Sequence, residues 1–219
     1  HYFLLSRQFR REHRAVLAGR LAYERGLSEP LRSSPLLRRN VHRLEKGLVM
    51  RPRQAVFAED YIEETVAELA RLHVSGRLDP IEDQWATDVL AEYFRVVADS
   101  ALIARARARF EKPGPRAVND PESASTPRPR AHAPVSGVSY DQFLELCRQR
   151  RSVRWFEQRR VPTDLVTKAL AAAAQAPSAC NRQPFLFRYF DDPADAHRIA
   201  SIAMGTKGYA QNIPAIVVL

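Results

Sequence analysis

The chain of 219 residues is 45% hydrophobic and 27% charged, which is enough apolar content for a buried core in one or two domains. No apolar run approaches the roughly 20 residues that a membrane-spanning helix needs, and Tyr2-Phe3-Leu4-Leu5 is too short for a signal-peptide core. The two cysteines, Cys147 and Cys180, make no disulfide framework, so the expected setting is the reducing cytoplasm.

The formal net charge of +9 is unevenly placed. Residues 1–53 hold 13 Lys/Arg and 4 Asp/Glu, whereas the remainder holds 21 of each. Residues 59–99 carry 11 acids against Arg71, Arg77 and Arg95. A basic arm can attract nucleic acid or an anionic membrane surface. Charge runs are more often solvated faces, and Tyr2, Phe3, Phe9 and Tyr23 are too scattered to stack bases. The expectation is that the arm packs near the acidic helices that follow it, and that nucleic acid is not a partner.

Residues 1–111 read as an all-helical region. A first helix is predicted over 3–25, which is free of Pro and rich in Arg, Leu and Ala. Another covers 59–73, with Ile62, Val66 and Leu69 as its buried stripe. Asp79-Pro80-Ile81-Glu82 is a helix start: Asp79 caps, Pro80 suits the first turn, and Glu82 can reach back to the cap. Trp85, Val89, Tyr93, Val96 and Val97 share a face of that helix, which is expected to run to about Phe110. Within Asn40-Val41-His42-Arg43-Leu44-Glu45-Lys46-Gly47-Leu48, Gly47 fits a helix C-terminus. His42 and Glu45 could be half of a metal site, but His13, His73, His132 and His197 are dispersed and no metal is expected.

Residues 112–138 carry Pro113, Pro115, Pro121, Pro127, Pro129 and Pro134 among Ser, Ala, Arg and Gly. Almost nothing there is expected to be buried, so the stretch reads as a flexible Pro-rich linker. A second domain, 139–219, opens at Ser139 and Gln142, a capping box, with Val138 and Phe143 placed for a hydrophobic staple. Its first helix presents Phe143, Leu146 and Cys147, the cysteine being expected in the core. An extended piece over 153–156 follows, then a helix from Pro162 with Leu165, Val166, Ala169, Leu170 and Ala173, ending before Pro177. Residues 185–190 read as an aromatic strand. Asp192-Pro193 starts a further helix, with Ile199 and Ile202 facing inward, and Ile213 to Leu219 reads as a buried strand. Alternation of helix and strand implies a sheet covered by helices. The start at His1 and the stop inside an apolar run make the chain read as a fragment.

Two short segments carry the chemistry. In Arg150-Arg151-Ser152-Val153-Arg154, residues two apart project to one side of an extended or turning backbone, so two guanidinium groups and a hydroxyl can converge. The planar fork of arginine suits phosphate; the plainer reading is an exposed basic end to a helix, favoured by the helix dipole. Pro177-Ser178-Ala179-Cys180-Asn181-Arg182-Gln183-Pro184 offers backbone N–H groups and amide side chains that suit the edge of a heterocycle. Its plainer reading is an ordinary connection from helix to strand. Neither segment decides the matter alone.

Taken in order, the Arg-Arg-Ser-x-Arg segment, Val161-Pro162, an Ala-rich helix, Ala-Pro-Ser-x-x-Asn-x-Gln-Pro, an aromatic strand and Pro-Ala-Ile-Val-Val resemble the FMN-dependent nitroreductase family over residues 139–219. The resemblance implies an α+β fold, a three-layer α/β/α sandwich, preceded here by the helical region. It implies that Arg150, Arg151, Ser152 and Arg154 hold the FMN phosphate and the pyrimidine side of the ring, with Arg154 at the N1/O2 edge. Pro177, Ser178, Ala179 and Asn181, together with Gln183, would reach the flavin of the partner subunit in a homodimer. The implied activity passes electrons from NAD(P)H through FMN to a small organic acceptor. Phe185 stands where the family usually has Trp, and Thr206 and Lys207 are not assigned a role. Cys180 is not expected to be a catalytic thiol. His42 to Leu48 also resembles a stretch that precedes the nitroreductase domain in some bacterial relatives described with polysaccharide biosynthesis. The competing reading is a non-catalytic binding module with a basic arm and a degenerate flavin domain. A dinucleotide fingerprint, a phosphate loop and a Gly-x-Ser-x-Gly elbow are all absent from the sequence.

Overall fold

The computed structural model describes residues 9–28, 32–112, 124–129 and 135–219. It divides into two compact units, one within His1–Arg130 together with Ala179–Arg182, the other Ala131–Ser178 with Gln183–Leu219.

In the first unit, α1 (Arg10–Ser28) is followed by α2 (Pro35–Val49), α3 (Ile62–Ser75), α4 (Pro80–Val96) and α5 (Ala101–Glu111). Through Arg25, every α1 side chain but that of Tyr23 is exposed. The core comes from the other four helices. Leu37, Val41 and Leu44 on α2, Ile62, Leu69 and Leu72 on α3, Val89, Leu90 and Tyr93 on α4, and Ile103 on α5 are fully buried. Their three- and four-residue spacing puts each set on one helix face, and the apolar stripes are removed from water together. Helix α2 packs on α3 and α4, and α3 packs on α5. The stripe expected at Ile62, Val66 and Leu69 is buried as read.

Three expectations for this region are corrected. The helix beginning at Pro80 does not continue to Phe110. It ends at Val96, Val97 turns extended, and Ser100 caps α5 by accepting from the Ile103 N–H at 3.3 Å. A serine able to satisfy a free amide makes the break cheap. Glu82 does not close a capping box on Asp79. Asp79 alone accepts from the Ile81 and Glu82 amides, while the buried Glu82 carboxylate turns to Ser33, Ser34 and Arg38. Gly47 lies inside α2 instead of ending it, and the reason is steric: a Cβ there would stand 2.3 Å from the Phe57 ring. Of the linker over 112–138, Lys112, 124–129 and 135–138 are described. Ala124 is buried and the Ser125 N–H donates to Asp88 Oδ2 at 2.9 Å, a local exception to the expectation that almost nothing there is buried.

The second unit contains α6 (Tyr140–Gln149), α7 (Thr163–Ala173), β1 (Arg188–Phe190), α8 (Pro193–Ala200) and β2 (Ile216–Val218). The capping box at Ser139 forms with both hydrogen bonds, 2.9 and 3.2 Å. Asp192 caps α8 through the Ala194 and Asp195 amides. Strands β1 and β2 pair antiparallel, Tyr189 opposite Val217. Among the described residues the sheet has two strands of three residues each, a small part of the three-layer sandwich expected to be incomplete in this chain.

The core assignments change accordingly. The strand expected over 185–190 shortens to Arg188–Phe190, and that expected over Ile213 to Leu219 shortens to Ile216–Val218, where Val217 is exposed. Cys147 is exposed, not core. Ala196 and Ala200 are the buried face of α8, and Ile202 is exposed. Phe143, Leu146, Trp155 and Leu165 are also exposed.

Candidate functional site

The basic segment begins where α6 ends. Arg150 is the C-cap residue with extended backbone, its N–H bonded to the Leu146 carbonyl. The chain then turns, the Val153 N–H reaching the Arg151 carbonyl at 3.1 Å. Arg150, Arg151, Ser152 and Arg154 are all exposed. Among the described residues the only hydrogen bonds of their side chains are local and long: Arg151 Nη1 to the Arg150 carbonyl at 3.3 Å and Arg154 Nη1 to the Ser152 carbonyl at 3.5 Å. Among the described residues none of these three arginines is ion-paired with an acid, whereas Arg159 and Arg160 just beyond are paired with Glu157 and Asp191. The segment thus holds three positive charges and a hydroxyl whose hydrogen-bonding capacity remains almost unspent, which is the donor set a phosphate requires. Downstream, Gln158 Nε2 donates to the Asn212 carbonyl at 3.0 Å, and the Phe156 N–H donates to Asn212 Oδ1, which anchors the end of the segment.

The Pro177 to Pro184 loop has an unusual backbone. Ala179–Asn181 forms a single 3₁₀ turn, and Cys180, Asn181 and Gln183 have φ of 53°, 49° and 44°. Left-handed backbone is costly for residues with a Cβ, least so for Asn. Three such residues within four positions need external support, and such strain concentrates at functional sites. Part of that support is local: Ser178 Oγ accepts from the Gln183 N–H at 2.8 Å and the Arg182 N–H reaches the Ala179 carbonyl at 3.2 Å. Ser178 and Gln183 are therefore brought together as a closed loop, with Ala179 and Asn181 at its tip. The Asn181 carbonyl accepts from Arg38 Nε at 3.0 Å, while no hydrogen bond engages its side-chain amide among the described residues.

Arg38 was legible only as part of a basic arm. In the structure it is a fixed element of the first unit. Its Nη1 donates to Glu82 Oε2 at 2.8 Å, and Glu82 also accepts from the Ser34 N–H at 3.1 Å and from Ser33 Oγ at 2.6 Å. Arg39 and Arg43 on the same helix pair with Glu64 and Asp60. The basic residues of α2 thus meet the acidic helices, as the charge distribution implies. Nearby, burial pulls Glu68 upward, but hydrogen bonds from Arg71 and Ser34 outweigh it and hold its pKa below the usual carboxylate value.

The His42 to Leu48 segment is structural in its contacts. His42 Nδ1 lies 3.2 Å from Glu45 Oε2, and Glu45 Oε1 accepts from Trp85 Nε1 at 2.9 Å. The described residues contain no cluster of His, Cys, Asp and Glu able to hold a metal. Thr206 is likewise spent, its hydroxyl bonded to the Ala200 and Ala203 carbonyls. No described helix is long and apolar enough to cross a membrane.

Comparison with known proteins places both segments in one context. Residues 147–211 match the model of the Nitroreductase family, a span that contains the basic segment and the loop. Iodotyrosine deiodinase 1 from Sus scrofa is 35% identical over 80 residues, which is 32% of this chain and 28% of that protein. The same-named protein from Mus musculus is 32% identical over 80 residues, again 32% of this chain and 28% of its own length. An NADH dehydrogenase from Thermus thermophilus is 35% identical over 71 residues, 32% of this chain and 34% of that protein. The chain therefore spans about a third or less of the curated relatives it matches. No solved structure matches.

Proposed function

We propose that the protein, whose residues 147–211 match the model of the Nitroreductase family, is an FMN-dependent oxidoreductase that takes reducing equivalents from NAD(P)H and passes them to a small organic acceptor. The observation that carries this reading is the set of exposed guanidinium groups at Arg150, Arg151 and Arg154, with no acid paired to them among the described residues, beside Ser152. FMN, when bound, supplies the two-electron chemistry. The chain supplies position and charge. Arg150 or Arg151 with Ser152 would hold the phosphate, and Arg154 would place positive charge at the N1/O2 edge of the ring. Pro177, Ser178, Ala179, Asn181 and Gln183 would reach the flavin of the partner subunit as a polar loop, Asn181 through an amide that no hydrogen bond engages among the described residues.

A homodimer is part of this proposal, supported by the exposed apolar side chains of the second unit, among them Phe143, Leu146 and Trp155. A cytoplasmic setting is consistent with two free, exposed cysteines. The domain division proposed is a helical region over 1–111, a linker over 112–138 and a flavin domain over 139–219. The degenerate binding module is not favoured, since three of the basic residues in the arm's second half are consumed in ion pairs with acids of the same unit.

The test is the visible absorption of the purified full-length protein and its titration with FMN. Arg150→Ala and Arg154→Ala each remove a charge-assisted hydrogen-bonding group, about 1.5–3 kcal/mol, and should weaken FMN binding by roughly 10- to 100-fold. A colourless protein that FMN does not titrate would refute the proposal. The similarity to iodotyrosine deiodinase 1 supports a second reading, reductive dehalogenation on the same flavin. Halide release from an iodinated phenol under reducing conditions favours it; turnover of quinones or nitroarenes without halide release favours the first.

A further inference from the structure

We infer that Arg38 is a positioning residue for the flavin-facing loop: oriented by Glu82, it holds the Asn181 carbonyl and so sets the left-handed turn from which Asn181 presents its amide. The inference rests on the flavin reading of Asn181 given above. The guanidinium serves both the carboxylate and the loop. Nη1 donates to Glu82 Oε2 at 2.8 Å and Nε donates to the Asn181 carbonyl at 3.0 Å. Glu82 is immobilised in turn, its side chain 3% exposed and held by the Ser34 N–H and Ser33 Oγ. The indole of Trp85 lies against the same guanidinium, 5.4 Å from ring centroid to Cζ. Arg38 therefore has a fixed orientation before it meets the loop.

The loop needs this partner. Its internal hydrogen bonds, Gln183 N–H to Ser178 Oγ and Arg182 N–H to the Ala179 carbonyl, close the ring of backbone but leave the Asn181 carbonyl to be satisfied from outside. Left-handed backbone is unfavourable for a residue bearing a side chain, so Cys180, Asn181 and Gln183 relax unless contacts over-determine them. A planar fork can serve carboxylate and carbonyl together; the point charge of lysine can keep the Glu82 pair but does not reproduce the Nε bond. Helix α2 thus acts through one side chain on the Ala179–Arg182 turn, which belongs to the same compact unit.

The test uses Arg38→Lys, which retains the charge beside buried Glu82, with Arg39→Lys as control because Arg39 pairs with the half-exposed Glu64. Amide hydrogen exchange over residues 178–184 reads the loop without FMN. Arg38→Lys should lower protection there by about tenfold while the rest of the first unit keeps its protection, and Arg39→Lys should change neither. FMN titration of the same proteins reads the consequence. Arg38→Lys should weaken binding by about tenfold and alter the visible band of the bound flavin, and in an Asn181→Gly background, which tolerates the left-handed turn, it should have no further effect. Unchanged loop protection in Arg38→Lys overturns the inference. So does altered protection with wild-type FMN affinity and spectrum. If the wild-type protein takes up no FMN, the flavin reading fails, and with it the role of Arg38 in the site, while the exchange data still decide whether Arg38 holds the loop.

Discussion

Gly47→Ala tests the packing of the helical unit most directly. In an isolated helix the change would stabilise by about 1 kcal/mol, because Ala is the better helix former. Here the added Cβ would stand 2.3 Å from Phe57 Cε2 and 2.5 Å from Cδ2, well inside contact distance. The ring has little freedom to withdraw. It packs edge-on against Tyr93 with centroids 5.0 Å apart, and the Phe57 carbonyl accepts from the Tyr93 hydroxyl at 2.8 Å. Overpacking costs about 1–3 kcal/mol, and so severe an overlap belongs at the upper end. Net destabilisation of about 2 kcal/mol follows, a fall of roughly 8–16 °C in Tm for a unit of this size. Thermal unfolding followed by circular dichroism measures it. Repeating the substitution in a Phe57→Ala background removes the obstacle, so Gly47→Ala there should stabilise by about 1 kcal/mol. An unchanged or raised Tm for Gly47→Ala with Phe57 present, or the same loss with Phe57 absent, would refute the steric account.

Glu82→Ala should cost about 3–5 kcal/mol in urea unfolding, since it leaves a mostly buried Arg38 without its carboxylate, together with the Ser33 and Ser34 donors. Glu63→Ala, which breaks the exposed pair with Arg105, should cost under about 1 kcal/mol; equal costs would show that burial does not matter here. The helical unit should also unfold in alkali. Burial pushes the Tyr61 phenol up to about 12 from its ordinary 10.0, against the pull of Arg43 and with Asp60 adding to the rise, and burial raises Tyr93 as well. Because the folded values are raised, this contribution to stability is fully present below pH 10 and is lost as pH rises through about 12. Tyrosinate absorbance should therefore rise together with loss of helical signal. Ionisation of all tyrosines near pH 10 with the helices intact would contradict it.

Much of this molecule is readable from local sequence. Caps at Asp79, Ser139 and Asp192 need only neighbours two or three residues away, and all three form. The stripe of Ile62, Val66 and Leu69 is legible because helical periodicity alone puts them on one face. The order of Arg150 to Arg154 and Pro177 to Asn181 along the chain was likewise enough for the family resemblance, since it depends on residue types and spacing.

The misreadings arise where a side chain has two possible partners. Glu82 stands at the right distance for a capping box, yet Ser33, Ser34 and Arg38 lie more than forty residues away in sequence and claim its carboxylate. Gly47 looks like a helix terminus until the ring of Phe57 is seen to occupy the place of its Cβ. The identity of the residues thus determines where helices start and which faces are apolar, because those properties depend on short-range backbone geometry and composition. Tertiary structure decides that Arg38 serves Asn181, that Cys147 is exposed and that α4 stops before α5, because each depends on which distant groups compete for the same donor, acceptor or volume.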